Sequence, residues 1–154
     1  MKLNLLHGEG QKMSGFQNIS SLSLEDEEII WCDVRNLDVV VDDGEVEVLI
    51  ARNVINYMPQ EHLISTLNHW VSKLRHGGRI VVGAIDLYEV ARGIHIRDIE
   101  LSDSNTILYG EDELKIKRNI FPTSSLVDFF NDQNMPVLKI RVDGYNMIVE
   151  AERP

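Results

Sequence analysis

The stretch from Val46 to Ala84 has the pattern of a strand, a helix and a second strand. VEVLIA and RIVVGA are apolar runs short enough for buried strands, and QEHLISTLNHWVSKLR between them places its apolar residues at helical spacing. A right-handed crossover of this kind makes the two strands parallel, and parallel sheets usually carry helices on both faces. The sequence therefore predicts an α/β fold built on a parallel sheet.

The helix in this unit has signals at both of its ends. Pro59 suits the first helical position, Glu61 complements the positive end of the helix dipole, and Gly77 is predicted to end the helix in a left-handed conformation. The apolar face is expected to consist of Leu63, Ile64, Leu67, Trp70, Val71 and Leu74. Three histidines spaced seven apart are predicted to face solvent: His62, His69 and His76.

The remaining strands are predicted on both sides of this unit. KLNLL is a first buried strand that ends in the glycine turn HGEG, Phe16 to Ile19 is a second, and EEIIWCD is a third. The interval from Gly8 to Gly15 is too short for a crossover helix, so either this connection is abbreviated or the second strand is not parallel to the first. Near the end of the chain, Asp143 and Gly144 join PVLKIRV and YNMIVEAE in a predicted hairpin.

The segments between the strands complete the prediction. AIDLYEVARGIH is weakly helical, and TSSLVDFFNDQN carries a last helix with Thr123 as its N-cap. The span from Asp98 to Arg118 is polar and irregular, which favours a mobile lid or a binding loop. The fold class is therefore a three-layer Rossmann-like sandwich, with a mostly parallel sheet of about six or seven strands that ends in an antiparallel hairpin. Residues 1–154 are predicted to form a single domain.

Composition excludes several kinds of function. A formal net charge of −10 argues against nucleic acid as a partner, because that affinity depends on Lys and Arg contacts to phosphate. No apolar run approaches the roughly 20 residues that cross a bilayer, so we expect a cytoplasmic protein with no membrane partner. Cys32 is the only cysteine, which excludes a zinc site built from cysteines. Neighbouring residues among His62, His69 and His76 would be roughly 10 Å apart on a helix, too far to share a metal, so no metal site is predicted. The sequence carries no signal for an oligomeric state.

The order of several motifs resembles a known family. KLNLLHGEG, SGFQNIS, WCDVRNL, LIARNVINYMP and LRHGGRIVVGAID follow one another as in the class I S-adenosylmethionine-dependent methyltransferases. The resemblance is greatest to short bacterial and phage members, whose first motif reads like LNLGCG followed by GF-x-N-[IV]-D. ILYGEDELKIKRNIFPTSSLVDFFND resembles the later part of those proteins, so the resemblance covers nearly the whole chain. It implies S-adenosylmethionine as the cofactor.

The resemblance also implies a set of cofactor-binding residues, with two departures. Leu6 stands at the first position of the family's Gly-x-Gly-x-Gly, so the first glycine motif is degenerate. Ser20 replaces the acidic residue that accepts the ribose hydroxyls, and His7 replaces a cysteine beside the cofactor. The residues that the resemblance places at the cofactor are Asn4, His7, Gly8, Gly10, Ser20, Asp33, Val34 and Asn53.

Substrate-binding residues are expected at the same rim of the sheet, because ligands bind at the carboxyl ends of strands in open α/β sheets. The candidates are Asn56, Asp86, Tyr88 and Tyr109. Asp86 fits a helix cap equally well, and Asp33 fits a brace of its own loop equally well. Tyr57 is expected to pack against the following helix. No catalytic residue is identified, since direct methyl transfer requires orientation more than acid or base groups.

Three functions are compatible with these features. The first is an S-adenosylmethionine-dependent methyltransferase that acts on a small-molecule or protein acceptor. The alternative is a catalytically inactive protein of the same fold that serves as a binding or assembly partner, as Leu6, Ser20 and the short segment from Gly10 to Ile29 suggest. A nucleotide-binding Rossmann domain of another type is less well supported, because no Gly-x-Gly-x-x-Gly is present.

Overall fold

A computed structural model describes residues 1–8 and 10–154. In the described residues seven strands form one sheet in the order β3-β2-β1-β4-β5-β7-β6. Their bounds are β1 (Lys2–Leu6), β2 (Gln17–Ser20), β3 (Ile29–Trp31), β4 (Val46–Arg52), β5 (Leu74–Ile85), β6 (Val137–Asp143) and β7 (Asn146–Glu152). β1 to β5 pair in parallel, whereas β7 is antiparallel to both β5 and β6. The predicted Rossmann-like α/β class and the final hairpin are confirmed, with the short β1–β2 connection joining parallel strands.

The described residues contain the helices α1 (Gln60–Lys73), α2 (Leu87–His95), α3 (Leu101–Tyr109) and α4 (Thr123–Asp132), with a 3-10 turn at Ile55–Tyr57. The elements of the central β4–α1–β5 unit are as predicted, but Pro59 is the N-cap and not the first helical residue, Ile64 of the predicted apolar face is 55% exposed, and the helix ends early. α1 stops at Lys73 because the backbone becomes extended at Leu74. Gly77 has a φ of 70°, but it lies within β5 and does not end the helix. The search of the described residues finds no helix long and apolar enough to cross a membrane.

The main core lies between one face of the sheet and the helices α1 and α4. Strand residues such as Leu5, Leu49, Val82 and Val149 are fully buried there against Trp70, Leu126 and Phe130 of the helices. The opposite face is covered differently, because the described parts of the β1–β2 and β2–β3 connections contain no helix. Asn4 on this face donates to the carbonyl of Gln11 at 3.0 Å, and Lys2 lies over the ring of Phe16. Connecting segments therefore cover this face of the sheet beside β1 and β2.

α1 also positions the long connection between β3 and β4. The Trp70 indole donates to the carbonyl of Val34 at 2.7 Å, and the His69 ring accepts the amide N–H of Leu37 at 2.8 Å. Nζ of the buried Lys73 lies 2.5 Å from Asp38 and 2.7 Å from Asp43. His69 therefore packs against the β3–β4 connection, and the prediction that it faces solvent together with His62 and His76 is wrong for this residue. These contacts fix Val34 and its neighbours at the carboxyl end of β3.

Candidate functional site

Two adjoining cavities open at the carboxyl ends of β1, β3 and β4. The first cavity has a volume of about 540 Å³, and its walls include Trp31, Asp33, Val34, Arg35, Met58 and Arg118. The second cavity has a volume of about 490 Å³, and its walls include Leu6, Gly10, Arg52, Asn53, Glu111 and Lys115. Both volumes lie in the range of small-molecule sites. Together they form the cleft in which we place the candidate site.

A stacked pair of rings forms the wall between the two cavities. The rings of His7 and Tyr57 are parallel to within 6°, with centroids 4.3 Å apart, and both residues line both cavities. His7 Nε2 lies 2.9 Å from the carbonyl oxygen of Leu114. Burial raises the pKa of Tyr57, and the nearby Glu111 and Asp112 add to the shift. Tyr57, which was predicted to pack against the following helix, stacks its ring on His7 from the end of the 3-10 turn.

The first cavity combines apolar and aromatic walls with one ion pair. The Asp33 carboxylate accepts from Arg35 Nη2 at 2.8 Å and from Nε at 3.0 Å. This hydrogen bonding holds the pKa of Asp33 below its ordinary value, although partial burial opposes the shift. Trp31 is 72% exposed, so most of its ring is free at the rim. The residue pair Asp33 and Val34 thus lies at a cavity, as predicted from the resemblance.

The second cavity receives three further residues of the predicted set. Asn4, Gly10 and Asn53 all line it. Asn4 is only 3% exposed, and its amide donates to Asn18 Oδ1 at 2.8 Å, which makes it mainly a brace of the β1–β2 connection. Asn53 has a φ of 55°, and its backbone N–H donates to the carbonyl of Gly83 at 3.0 Å. Asn53 therefore occupies a fixed bend directly beyond β4.

Two other predicted cofactor residues line neither cavity. Ser20 is fully buried, and its hydroxyl accepts the N–H groups of Gly8 at 3.2 Å and Leu22 at 3.1 Å. Gly8 is buried with a φ of 75°. Both residues shape the turn after β1, and the Ser20 hydroxyl is hydrogen-bonded within that turn. Leu6, only 6% exposed, packs against Gly10 at the base of the second cavity.

Two of the predicted substrate residues have structural roles instead. Asn56 is 1% exposed; its Oδ1 accepts the N–H of Ile85 at 2.9 Å, and its Nδ2 donates to the carbonyl of Asn119 at 3.2 Å. Asp86 is 4% exposed, accepts the N–H of Glu89 at 3.0 Å and binds Thr123 at the start of α4. Neither side chain lines the cleft, because the polar atoms of both are hydrogen-bonded to backbone groups. The helix-cap alternative for Asp86 is the correct one.

The other two substrate candidates lie outside both cavities. Tyr88 is 67% exposed and Tyr109 is 65% exposed, and neither contributes to the walls.

Thr123 was predicted as the N-cap of α4, but Pro122 occupies that position and Thr123 is the first helical residue. Its N–H donates to Asp86 at 3.0 Å, and its hydroxyl also binds that carboxylate.

A strap of residues 110–118 follows α3 and reaches over the cleft. Gly110 pairs with Ile116, Asp112 Oδ1 accepts the N–H groups of Leu114 and Lys115, and the Lys117 N–H donates to the Tyr109 carbonyl. The sequence predicted an irregular span from Asp98 to Arg118, but α3 occupies its first half. The second half supplies Glu111, Lys115 and Arg118 to the cavities.

Cleft residues that were not assigned to a site from the sequence include Trp31, Arg52 and Tyr57, whereas Lys115 and Arg118 lie in the span from Asp98 to Arg118 that was predicted as a lid or binding loop. Trp31 and Arg52 end their strands, so the rule that ligands bind at carboxyl ends could have identified them. The strap residues carry no such signal, since the long-range contact between His7 and Leu114 is what brings the strap to the cleft.

The sequence matches no known family model and no curated protein. Solved structures do resemble it. A protein of Pyrococcus horikoshii OT3 has a TM-score of 0.62 at 13% identity, over 91% of this chain and 73% of that one. The 1,6-didemethyltoxoflavin-N1-methyltransferase of Burkholderia thailandensis, crystallised with its substrate and S-adenosylhomocysteine, has a TM-score of 0.62 at 11% identity, over 98% and 70%. An S-adenosylmethionine-dependent methyltransferase of Thermotoga maritima has a TM-score of 0.57 at 15% identity, over 82% and 64%. These similarities show a shared fold.

Proposed function

We propose that the protein is an S-adenosylmethionine-dependent methyltransferase whose cofactor binds with its adenosyl group in the first cavity. The observation that carries this proposal is the position of Asp33 and Val34 in that cavity, beside His7 and Tyr57. Carboxyl ends of parallel strands are the usual ligand site of such sheets. A protein of similar fold from Burkholderia thailandensis was crystallised with S-adenosylhomocysteine.

The residues of the first cavity fit the parts of this cofactor. Asp33 offers a carboxylate that accepts hydrogen bonds, Val34 an apolar contact, and the free ring of Trp31 a surface on which a purine stacks. The Tyr57 ring at the inner end of the cavity provides a π face that attracts a sulfonium cation. The hydrogen-bonding groups for the ribose depart from the family at one place. Ser20 stands where the family has an acidic residue, and its hydroxyl is already bound by the backbone N–H groups of Gly8 and Leu22.

Catalysis by such a site depends on orientation. When bound, the cofactor supplies an electrophilic methyl group, and the protein holds the acceptor in line with it and excludes water. His7 and Tyr57 line both cavities, so a cofactor with its adenosyl group in the first cavity would pass beside this pair of rings where it enters the second. Gly10 and Asn53, in the second cavity, would then contact the groups that lie beyond the sulfonium.

Two observations favour the second candidate function, an inactive binding or assembly partner. Leu6 places a side chain against Gly10 where the family has glycine, and the hydroxyl of Ser20 is already committed to two backbone N–H groups. A protein that had lost its cofactor would tolerate both changes. Cofactor affinity separates the two functions directly.

The replacement Trp31→Ala is expected to weaken S-adenosylmethionine binding by about 10-fold, because stacking of a base on an aromatic ring contributes roughly 1–3 kcal/mol. The measurement is calorimetric titration of the wild type and the variant. Trp31 is mostly exposed, so its loss should leave the fold intact. Val39→Ala is the matched control, since Val39 is 81% exposed and lines neither cavity.

The outcomes of this titration have distinct meanings. Absence of binding to the wild type at millimolar cofactor would remove the methyltransferase and leave the partner function. Binding that is equally tight in the wild type and in Trp31→Ala would exclude the proposed adenine position.

A further inference from the structure

The two edges of the sheet differ in length. β3, at one edge, has three residues, and short edge strands pair poorly with further strands. β6, at the opposite edge, has seven residues, and among the described residues β7 is the strand that pairs with it. The outer side of β6 therefore presents backbone N–H and C=O groups to which no described strand is paired.

An apolar row runs along one face of this edge strand. Leu138, Ile140 and Val142 are 47%, 52% and 45% exposed. Ile140 pairs with Val149 and Val142 pairs with Met147, so the row continues the buried face of the sheet to its edge. Single exposed apolar side chains are normal, but a row of three beside unpaired backbone groups is typical of a strand that joins another strand.

The opposite face of β6 carries the charges that decide how such a strand pairs. Lys139, Arg141 and Asp143 alternate with the apolar row, and all three are exposed. When two identical strands pair antiparallel, the residue at the two-fold axis fixes every other pair. With Arg141 at the axis, Lys139 faces Asp143 of the second copy, twice by symmetry, and Ile140 faces Val142 of the second copy. Opposite charges that face each other across two strands stabilise the pair.

The other registers are less favourable for a pair of these strands. An axis at Ile140 makes Lys139 face Arg141 of the second copy twice, and an axis at Lys139 makes two Lys139 side chains face each other, and facing like charges destabilise a strand pair. An axis at Val142 leaves only three residues of each strand paired. The axis at Arg141 also brings two arginines together, but Asp143 lies 3.4 Å from Arg141 within each chain and offsets their repulsion.

We propose that the protein forms a homodimer in which the β6 strands of two copies pair antiparallel about a two-fold axis at Arg141. This pairing joins the two seven-stranded sheets into one and uses the long edge of both, so assembly stops at two copies. β5 and β7 lie between β6 and the strands that form the cleft. The cleft therefore stays open, and the dimer does not depend on the proposed methyltransferase function.

Sedimentation equilibrium of the full chain measures the assembly directly. We expect the wild type to have twice the chain mass of 17.6 kDa at about 10–100 µM, because a small interface gives affinities near the micromolar range. Ile140→Glu should weaken dimerisation by about 10-fold or more, since each glutamate faces the apolar row of the other copy. Val39→Glu is the matched control: Val39 is 81% exposed in the β3–β4 connection, and its replacement should leave the mass unchanged.

An exchange of charges tests the register. Lys139→Asp should weaken dimerisation by about 5-fold or more, because two carboxylates then face each other in both symmetric pairs. The double variant Lys139→Asp/Asp143→Lys restores opposite charges in these pairs, and its dimerisation constant should return to within about 3-fold of the wild-type value. Both positions are exposed, so these variants should fold and decide the result even if Ile140→Glu does not fold.

A wild type that stays monomeric at about 100 µM, or that forms assemblies larger than two copies, would overturn the inference. So would a dimer that persists unchanged in Ile140→Glu, or a double variant that dimerises no more tightly than Lys139→Asp. Titration with S-adenosylhomocysteine is carried out on the same proteins, and its affinity should be equal in all of them. Failure of S-adenosylhomocysteine to bind the wild type would overturn the proposed function alone and leave the dimer.

Discussion

Replacing Asp86 with alanine is expected to lower the free energy of unfolding by about 3 kcal/mol. The Asp86 carboxylate caps α2 through the N–H of Glu89, and it also binds the N–H and hydroxyl of Thr123 at the start of α4. Because Asp86 is 4% exposed, its loss leaves buried donors without an acceptor. Urea denaturation measures the effect, and Asp128→Ala is the control, since Asp128 is exposed on α4.

The same carboxylate predicts a pH dependence. Burial raises the pKa of Asp86, but the hydrogen bonds from Thr123 and Glu89 outweigh burial, so the pKa lies below its ordinary value of 3.8. The ionised form therefore stabilises the fold at and above that value, and the contribution is lost as pH falls through the folded pKa. Asp86→Asn should reduce the acid-induced loss of stability below pH 3.8. If stability fell as steeply with decreasing pH in Asp86→Asn as in the wild type, this assignment would be contradicted.

Gly110→Ala is expected to weaken ligand binding in the cleft by about 10-fold or more and to lower the free energy of unfolding by about 1–3 kcal/mol. Gly110 has a φ of 98° and a ψ of 178°, a region that only glycine adopts readily and that costs other residues about 1–3 kcal/mol. A Cβ there would also lie 1.8 Å from the carbonyl oxygen of Lys115, so the strap must rearrange. The strap carries Lys115 and Arg118, and their displacement alters both cavities.

A second glycine provides the control for this effect. Gly144 also has a positive φ, 59°, but a Cβ there meets nothing within 4 Å, and Gly144 lines neither cavity. Gly144→Ala should cost about 1 kcal/mol of stability and leave ligand affinity unchanged. Titration with S-adenosylhomocysteine and thermal unfolding of both variants distinguish the two cases. Unaltered affinity in Gly110→Ala would show that the strap takes no part in binding.

The central architecture was predictable because its signals are local. Periodic apolar residues indicated β4, α1 and β5, and Asp143 with Gly144 indicated the hairpin. α3 was missed because its sequence, LSDSNTILY, is largely polar. Ser104 and Asn105 donate to carbonyl groups one turn earlier, an arrangement that is not visible as a hydrophobic pattern. The described parts of the β1–β2 and β2–β3 connections contain no helix, because these connections are short.

The site was predictable only in part. The family resemblance singled out His7, Asp33, Val34 and Asn53, which lie together at the cleft, as the rule that ligands bind at the carboxyl ends of strands also predicts. The same rule failed for Asn56 and Asp86, because contacts from the distant residues Asn119 and Thr123 decide that these side chains are buried. Local sequence cannot show such contacts. The approach of the strap to His7 has the same long-range origin.

A crystal structure of the protein with S-adenosylhomocysteine tests the central claim most directly. We predict that the adenine lies in the first cavity, with its amino group within hydrogen-bonding distance of Asp33 and one face against Trp31. The sulfur should lie near the His7–Tyr57 wall. A cofactor found outside the first cavity, or crystals that exclude it at saturating concentration, would contradict the account and leave only the fold.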